Sequence, residues 1–360
     1  MKSHKNKIYL LIALIIIISA IVYFEKMRPD IQTNKNTELK DGKYPKAPEL
    51  VGISGYLNTE EGLKISDLKG KVVLIDFWTY SCINCLRTLP HIKEWYSKYK
   101  DKGLVIIGVH TPEFEFEKKY DNVKMAIEDN KIEYPVIQDN DYATWTSFKN
   151  RYWPRKYLID KDGFIRYDHI GEGAYDETEK KIQELLAEIG SDVSDMGISQ
   201  LEDKTPKIAL TPELYTGYEF ALPRGQNIGN EKGLQPDQTI DYKLPEKIKD
   251  NKIYLEGKWK SNSDNLQAQG KSSIILKFTA SSVNIVADSL SDPIELEVFI
   301  DNKYVTKDQA GNNVVIKNGK SFVLIDEPKL YNLIDGNYGA YTLKLTTNSK
   351  DFNFNAFTFG

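Results

Sequence analysis

Cys82 and Cys85 are the only two cysteines among 360 residues, and they form a C-x-x-C pair within DFWTYSCINCLRTLP, residues 76–90. Such a pair suits three chemistries: half of a metal site, a structural staple, or a dithiol that exchanges disulfides. A zinc site needs four ligands, or three and a water. The pair supplies two, and the histidines are His4, His91, His110 and His169. His91 follows Cys85 on the same helix at a spacing that turns it to another face. Carboxylates could complete a site, but no metal and no cofactor is expected. A staple gains by closing a long loop, and this one would enclose only Ile83 and Asn84. The dithiol fits the local physics best. Cys82 follows an apolar strand and opens a helix, with Ser81 expected as N-cap. Unpaired N–H groups and the helix dipole there favour a thiolate, the attacking species in exchange. Cys85, one turn on, can resolve the mixed disulfide. Asp76 sits inside the apolar strand, where burial raises a carboxyl's pKa.

The elements that must position these groups are legible in the pattern. KVVLIDFW (71–78) and GLVIIGVH (103–110) are continuous apolar runs, read as strands buried on both faces. Between them Leu86, Leu89, Ile92, Trp95, Tyr96 and Tyr99 recur at helical spacing. Strand, helix, strand is a βαβ unit. A helix near 114–129, a strand at 134–137, a short helix near 142–149, strands at 156–160 and 164–169, and a helix at 175–189 complete an α/β domain. Residues 191–250 show little period. From Ile253 short alternating segments recur: 253–260, 273–279, 282–287, 294–300, 322–325, 340–346 and 352–359. Turns such as Asp301-Asn302 and Asp335-Gly336 separate some of them, which predicts an all-β jelly roll or sandwich.

At the other end, Ile8 to Phe24 carries no charged side chain, and Lys2, Lys5 and Lys7 precede it. This reads as one transmembrane helix at the short end of a span across roughly 30 Å of hydrocarbon, with the N-terminus cytoplasmic and the bulk of the chain outside. A cleaved signal peptide is the alternative. Residues 25–46 read as a flexible tether of roughly 25 Å. The expected organisation is 1–24 cytoplasmic N-terminus and anchor, 25–46 linker, 47–190 α/β domain, 191–210 linker and 211–360 β domain. A net charge of −4 with no basic stripe excludes a nucleic-acid partner.

The active segment resembles that of thioredoxins, and more closely that of membrane-tethered bacterial thioredoxins of the TlpA type. The resemblance rests on Asp76, on Phe77-Trp78, on the C-x-x-C and on Pro90, with APEL (47–50) and LKGKVVLIDFW (68–78) upstream. YSCINCLRTLP and NRYWPRKYLID further resemble the thioredoxin region of DipZ-type proteins. That family carries an additional β-sandwich resembling a carbohydrate-binding module. TPELYTGYEFA (211–221), LEGKW (255–259) and AFTFG (356–360) resemble that domain's landmarks. DipZ-type proteins place a multi-span electron-transporting domain before the thioredoxin, whereas this chain has one apolar span. A separate membrane electron-transfer protein is therefore the expected reductant.

The resemblance implies a thioredoxin fold over about 47–190 and a thiol–disulfide oxidoreductase acting on protein substrates, with a Cys82–Cys85 disulfide in its oxidised form. Cys82 would be the nucleophile, Cys85 the resolving thiol and Asp76 the acceptor of the Cys85 proton. Pro154 would be cis, and Trp153 would shape the substrate groove. Ile83 and Asn84 replace the Gly-Pro of thioredoxin and help set the potential. Trp78 is either a core residue or part of the substrate surface. Trp259, Tyr254, Tyr304, Tyr331, Tyr338 and Tyr341 are either packing residues or a stacking platform for a cell-envelope glycan. Two other functions stay open: an envelope-binding module on a thioredoxin scaffold, and a thiol peroxidase. The latter arises because Thr79 to Cys82 reads T-x-x-C, although Ile75 stands where a peroxiredoxin carries proline.

Overall fold

A computed structural model describes residues 38–360. The expected span at 8–24, and most of the tether, lie outside the described residues. Among the described residues no helix is long and apolar enough to cross a membrane. The end of the tether folds: β1 (Leu39–Lys40) and β2 (Tyr44–Pro45) form a small antiparallel hairpin. That hairpin belongs to one compact unit, and Ala47–Gly360 form another.

The second unit begins with a six-stranded mixed sheet. Its strands are β3 (Gly55–Leu57), β4 (Val72–Trp78), β5 (Leu104–His110), β6 (Val136–Gln138), β7 (Arg155–Ile159) and β8 (Ile165–Ile170), in the order β3-β6-β5-β4-β7-β8. β4, β5 and β6 run parallel, and β3, β7 and β8 pair antiparallel. Helices α1 (Ile83–Tyr99), α2 (Tyr120–Asp129), α3 (Ala143–Ser147) and α4 (Tyr175–Glu188) complete this thioredoxin-like layer. The helix expected from 114 begins as a separate 3-10 turn, Glu115–Lys118, before α2.

Every residue of β4 is buried, as a central strand covered on both faces requires. Val72, Leu74 and Trp78 join one core cluster with Cys85, Leu89, Ile92 and Trp95 of α1 and Ile182 and Leu186 of α4. Val73, Ile75 and Phe77 point the other way, into a cluster with Trp145 and Phe148. Side chains alternate along a strand, so Asp76 falls on the α1 face. Pro90 lies inside α1 on its exposed side.

The remaining strands are β9 (Leu214–Tyr215), β10 (Thr239–Tyr242), β11 (Ile253–Ser261), β12 (Leu266–Ser289), β13 (Ile294–Ile300), β14 (Lys303–Tyr304), β15 (Val314–Lys317), β16 (Lys320–Ile325), β17 (Lys329–Thr347) and β18 (Phe352–Phe359). They form one ten-stranded antiparallel network around a single apolar core. Where short strands were expected, β12 runs for 24 residues and β17 for 19. Register shifts at Ala280/Ser282 and Val283/Asn284 bend the pair without ending it. Asp335-Gly336 is consequently inside β17, at the bulge opposite Ser282, and does not end a strand. Asp301 and Asn302, both at positive φ, do make the turn between β13 and β14.

Of the six candidate platform rings, three are core residues, while Tyr338 is exposed and Tyr304 and Tyr341 are half-buried. Tyr254, Trp259 and Tyr331 are 2%, 1% and 1% exposed, so their faces serve packing. Apolar burial on both sides of long strands outweighs presenting those rings to solvent.

The β domain packs on the α/β layer. Val286 of β12 and Ala356 of β18, each 1% exposed, belong to the same core cluster as α1 and β4, with Leu330 and Tyr215 against it. A Val286→Asp variant would bury an uncompensated carboxylate in that joint core. It should lose about 3 kcal/mol of stability, read as a lowered denaturant midpoint. An unchanged midpoint would mean that the contact carries no stability.

Candidate active site

The chain leaves β4 at Trp78 and turns through Thr79, Tyr80 and Ser81 into α1. Cys82, not Ser81, is the N-cap of α1: its Sγ accepts the Cys85 N–H at 3.3 Å. Ser81 is engaged elsewhere, donating its Oγ–H to Glu117 Oε1 at 2.6 Å. Glu117 is fully buried and also accepts the N–H groups of Ser81, Glu113 and Phe114, at 3.3, 2.5 and 2.9 Å. The acidic start of the 3-10 turn thus locks the loop that carries the nucleophile.

The two cysteines are unbridged; Cys82 is partly buried and Cys85 is buried. Burial pushes the Cys82 thiol up, the hydrogen bonding with Cys85 pulls it back in part, and Glu213 and Glu113 push it further. The thiolate that the helix start alone predicts is therefore opposed by desolvation and two carboxyls. Cys85 is pushed up well beyond the ordinary range, first by burial, then by the Cys82 sulfur beside it. Of the pair, Cys82 is the more accessible sulfur and thus the better placed to attack.

Asp76 is 1% exposed, and its Oδ1 has no hydrogen-bond partner among the described residues. Burial raises its carboxyl to about 6, and the Lys156 ammonium holds it back only in part. Lys156 is opposite Asp76 in the β4–β7 register, is 0% exposed, and donates Nζ–H to Gly171 O at 3.0 Å. Burial lowers its pKa, and the fields of Asp76, Cys85 and Glu172 raise it. Asp76 in turn raises Cys85. Asp76, Lys156 and Cys85 therefore share one buried electrostatic site.

Trp153 and Pro154 are joined by a cis peptide bond. Trp153 Nε1–H donates to Thr111 O at 3.0 Å, and its ring packs on Trp145 at 4.2 Å between centroids. It lines the same small cavity as Cys82. Trp78 does not reach that cavity: it is 0% exposed and edge-on to His110, so its place is the core. Ile83 and Asn84 form the first turn of α1, where Asn84 Oδ1 accepts Arg87 Nη2–H at 2.8 Å. Arg87 is paired with Glu172 at 2.7 Å, tying α1 to the loop after β8. His110 is also buried, its Nε2 3.3 Å from Thr79 Oγ1, and burial lowers its pKa to about 3.

Sequence reasoning brought Cys82, Cys85, Asp76, Trp153 and Pro154 to one place. It missed Lys156, although a lysine inside KYLID breaks an apolar run and is a readable signal. It also missed Glu113, Glu117, Glu213 and Tyr215. Nothing local marks the last two, which come from beyond the α/β domain.

The Asp76 shift has a definite pH signature. A carboxyl bound more tightly to its proton in the folded state favours folding at low pH and loses that advantage as pH rises through its folded value. The advantage of Asp76→Asn over the wild type should therefore grow between pH 4 and about 6, reaching about 3 kcal/mol, and stay flat above. Denaturant unfolding at stepped pH measures it; a gap that narrows with rising pH contradicts the assignment.

Comparison with known proteins adds the family. Residues 46–168 match the AhpC/TSA family, and residues 211–360 match the family described as thioredoxin like C-terminal domain. The DipZ proteins of Mycobacterium bovis and Mycobacterium tuberculosis are 37% identical over 320 residues, covering 87% of this chain and 43% of theirs. The chain thus spans less than half the length of those relatives. The thiol-disulfide oxidoreductase YkuV of Bacillus subtilis is 34% identical over 142 residues, 39% of this chain and 94% of that protein. ResA of Bacillus cereus, also a thiol-disulfide oxidoreductase, is 34% identical over 127 residues, 35% of this chain and 70% of its own. With its C-x-x-C at the start of α1 in a thioredoxin-like layer, the chain belongs to the thiol–disulfide oxidoreductases, as a DipZ-like enzyme with a C-terminal β domain.

Proposed function

We propose that this enzyme exchanges disulfides with protein substrates outside the cytoplasm, through the Cys82–Cys85 dithiol. The observation that carries the reading is the buried Asp76 beside Cys85, with the more accessible Cys82 at the helix start facing Trp153. Cys82 attacks one sulfur of the substrate disulfide and the other leaves as a thiol. Cys85 gives its proton to Asp76 and attacks Cys82, closing the intramolecular disulfide and releasing the second substrate sulfur, which leaves as a thiol with the proton that Asp76 took. The substrate gains the two electrons that the dithiol loses. Lys156 limits how far burial raises Asp76, keeping it able to act as a base near neutrality.

The apolar stretch at 8–24 supports an anchored location outside the cytoplasm, and we read a separate membrane electron-transfer protein as the electron donor. We read the all-β domain as a jelly-roll-type sandwich that serves this enzyme as structure, since Tyr254, Trp259 and Tyr331 of its six candidate glycan-stacking rings are core residues.

Reduction of insulin disulfides by the chain, supplied with a chemical reductant, tests this. Cys82→Ser should abolish turnover, and Cys85→Ser should accumulate a covalent adduct visible on a non-reducing gel. Asp76→Asn should slow resolution roughly tenfold at pH 7. Peroxide consumption through Cys82 without disulfide reduction would instead make the protein a peroxidase.

A further inference from the structure

Tyr215, at the end of β9, reaches back from the β domain to the loop after β5. Its hydroxyl is 2.9 Å from Glu113 Oε1 and 3.1 Å from Glu213 Oε2. A phenol has one proton to donate. One carboxyl can accept it, and the other must either carry a proton of its own, donated to the phenol oxygen, or leave an oxygen unsatisfied. The geometry therefore favours a pair of carboxyls holding one proton between them. Electrostatics act in the same direction: burial and then the Glu213 carboxyl raise Glu113 to about 8, and burial raises Glu213 as well.

This pair lines the cavity over Cys82, together with Ser81 and Trp153. The cavity is about 40 Å³. That is room for a water or two between polar walls. Val286, Ala356 and Thr358 of the β domain close its far side. Glu113 also faces Glu117 and Arg224; Glu213 faces Arg87, Arg224 and Glu172. Arg224 lies over the Tyr215 ring at 4.6 Å.

We propose that Glu113 and Glu213, linked by Tyr215, move the proton of Cys82, so that the β domain supplies half of the group that activates the nucleophile. The inference rests on the dithiol reading above. The ionised member of the pair takes the Cys82 proton across the cavity through water. The thiolate forms its bond to one substrate sulfur as the substrate S–S bond breaks, and the pair returns the proton to the departing thiolate. No net proton or electron is left on the pair.

The test compares two rates in the full chain: alkylation of Cys82 by iodoacetamide, which needs only a thiolate, and insulin reduction, which also needs proton return. In Glu113→Gln or Glu213→Gln one carboxylate remains, so alkylation at pH 7 should stay within about threefold of wild type. Turnover should fall about tenfold or more and lose the pH limb that the pair gives the wild type. Tyr215→Phe keeps the ring packing and both carboxyls, and should show the same split. Turnover that is unchanged, or that changes by the same factor as alkylation, would overturn the proposal. Persistence of turnover in Cys82→Ser would instead overturn the dithiol reading on which it rests.

Discussion

A carboxylate inside a strand that has no exposed residue is costly, and one buried lysine opposite it does not fully offset the cost. Asp76 is in that position. It occupies a place on the α1 face of β4 where Val72, Leu74 and Trp78 are packed, and it stays proton-hungry near neutral pH. The rest of the site is arranged around this constraint. β7 must run antiparallel beside β4 to bring Lys156 opposite Asp76, and α1 must lie across the same face to bring Cys85 within its field. The register of the sheet and the spacing of the C-x-x-C are therefore one design, in which a buried acid faces a buried thiol.

The outer thiol is governed differently. Cys82 caps its own helix, which favours its thiolate, but the surroundings oppose it through burial and two acidic groups. Its protein environment is not confined to the thioredoxin-like layer. β12 and β18 place Val286, Ala356 and Thr358 across a cavity of about 40 Å³, and β9 brings Tyr215 between two glutamates. The β domain is thus a wall of the active site as well as a folded unit. Val286 and Ala356 are buried in one apolar cluster with residues of α1 and β4, so the wall is fixed by core packing and not by a surface contact alone.

What the sequence made legible follows from how local each signal is. Apolar runs revealed β4 and β5, helical spacing revealed α1, and the C-x-x-C marked the reactive pair. Asp76 was conspicuous because a carboxyl interrupts VVLIDFW. The N-cap was misjudged because Ser81 and Cys82 are adjacent possibilities, and only the distant Glu117 decides which one is free to cap. Trp78 was ambiguous for a similar reason: an aromatic at a strand end faces either core or groove, and the packing of His110 resolves it. The long strands β12 and β17 read as several short ones because bulges look like turns in sequence. Glu213 and Tyr215 could not be placed at all, since their partner Glu113 lies about a hundred residues away in another layer.

Cys82 and Cys85 form one two-electron couple in the folded chain. Equilibrating the full chain in glutathione buffers of stepped potential, quenching with acid and weighing the products by mass spectrometry tests it directly. One couple gives a single transition from dithiol to intramolecular disulfide, seen as the loss of two hydrogens with no lasting adduct. A stable glutathione adduct on Cys82 that never passes to Cys85, or a pair that stays reduced at every potential, would contradict it.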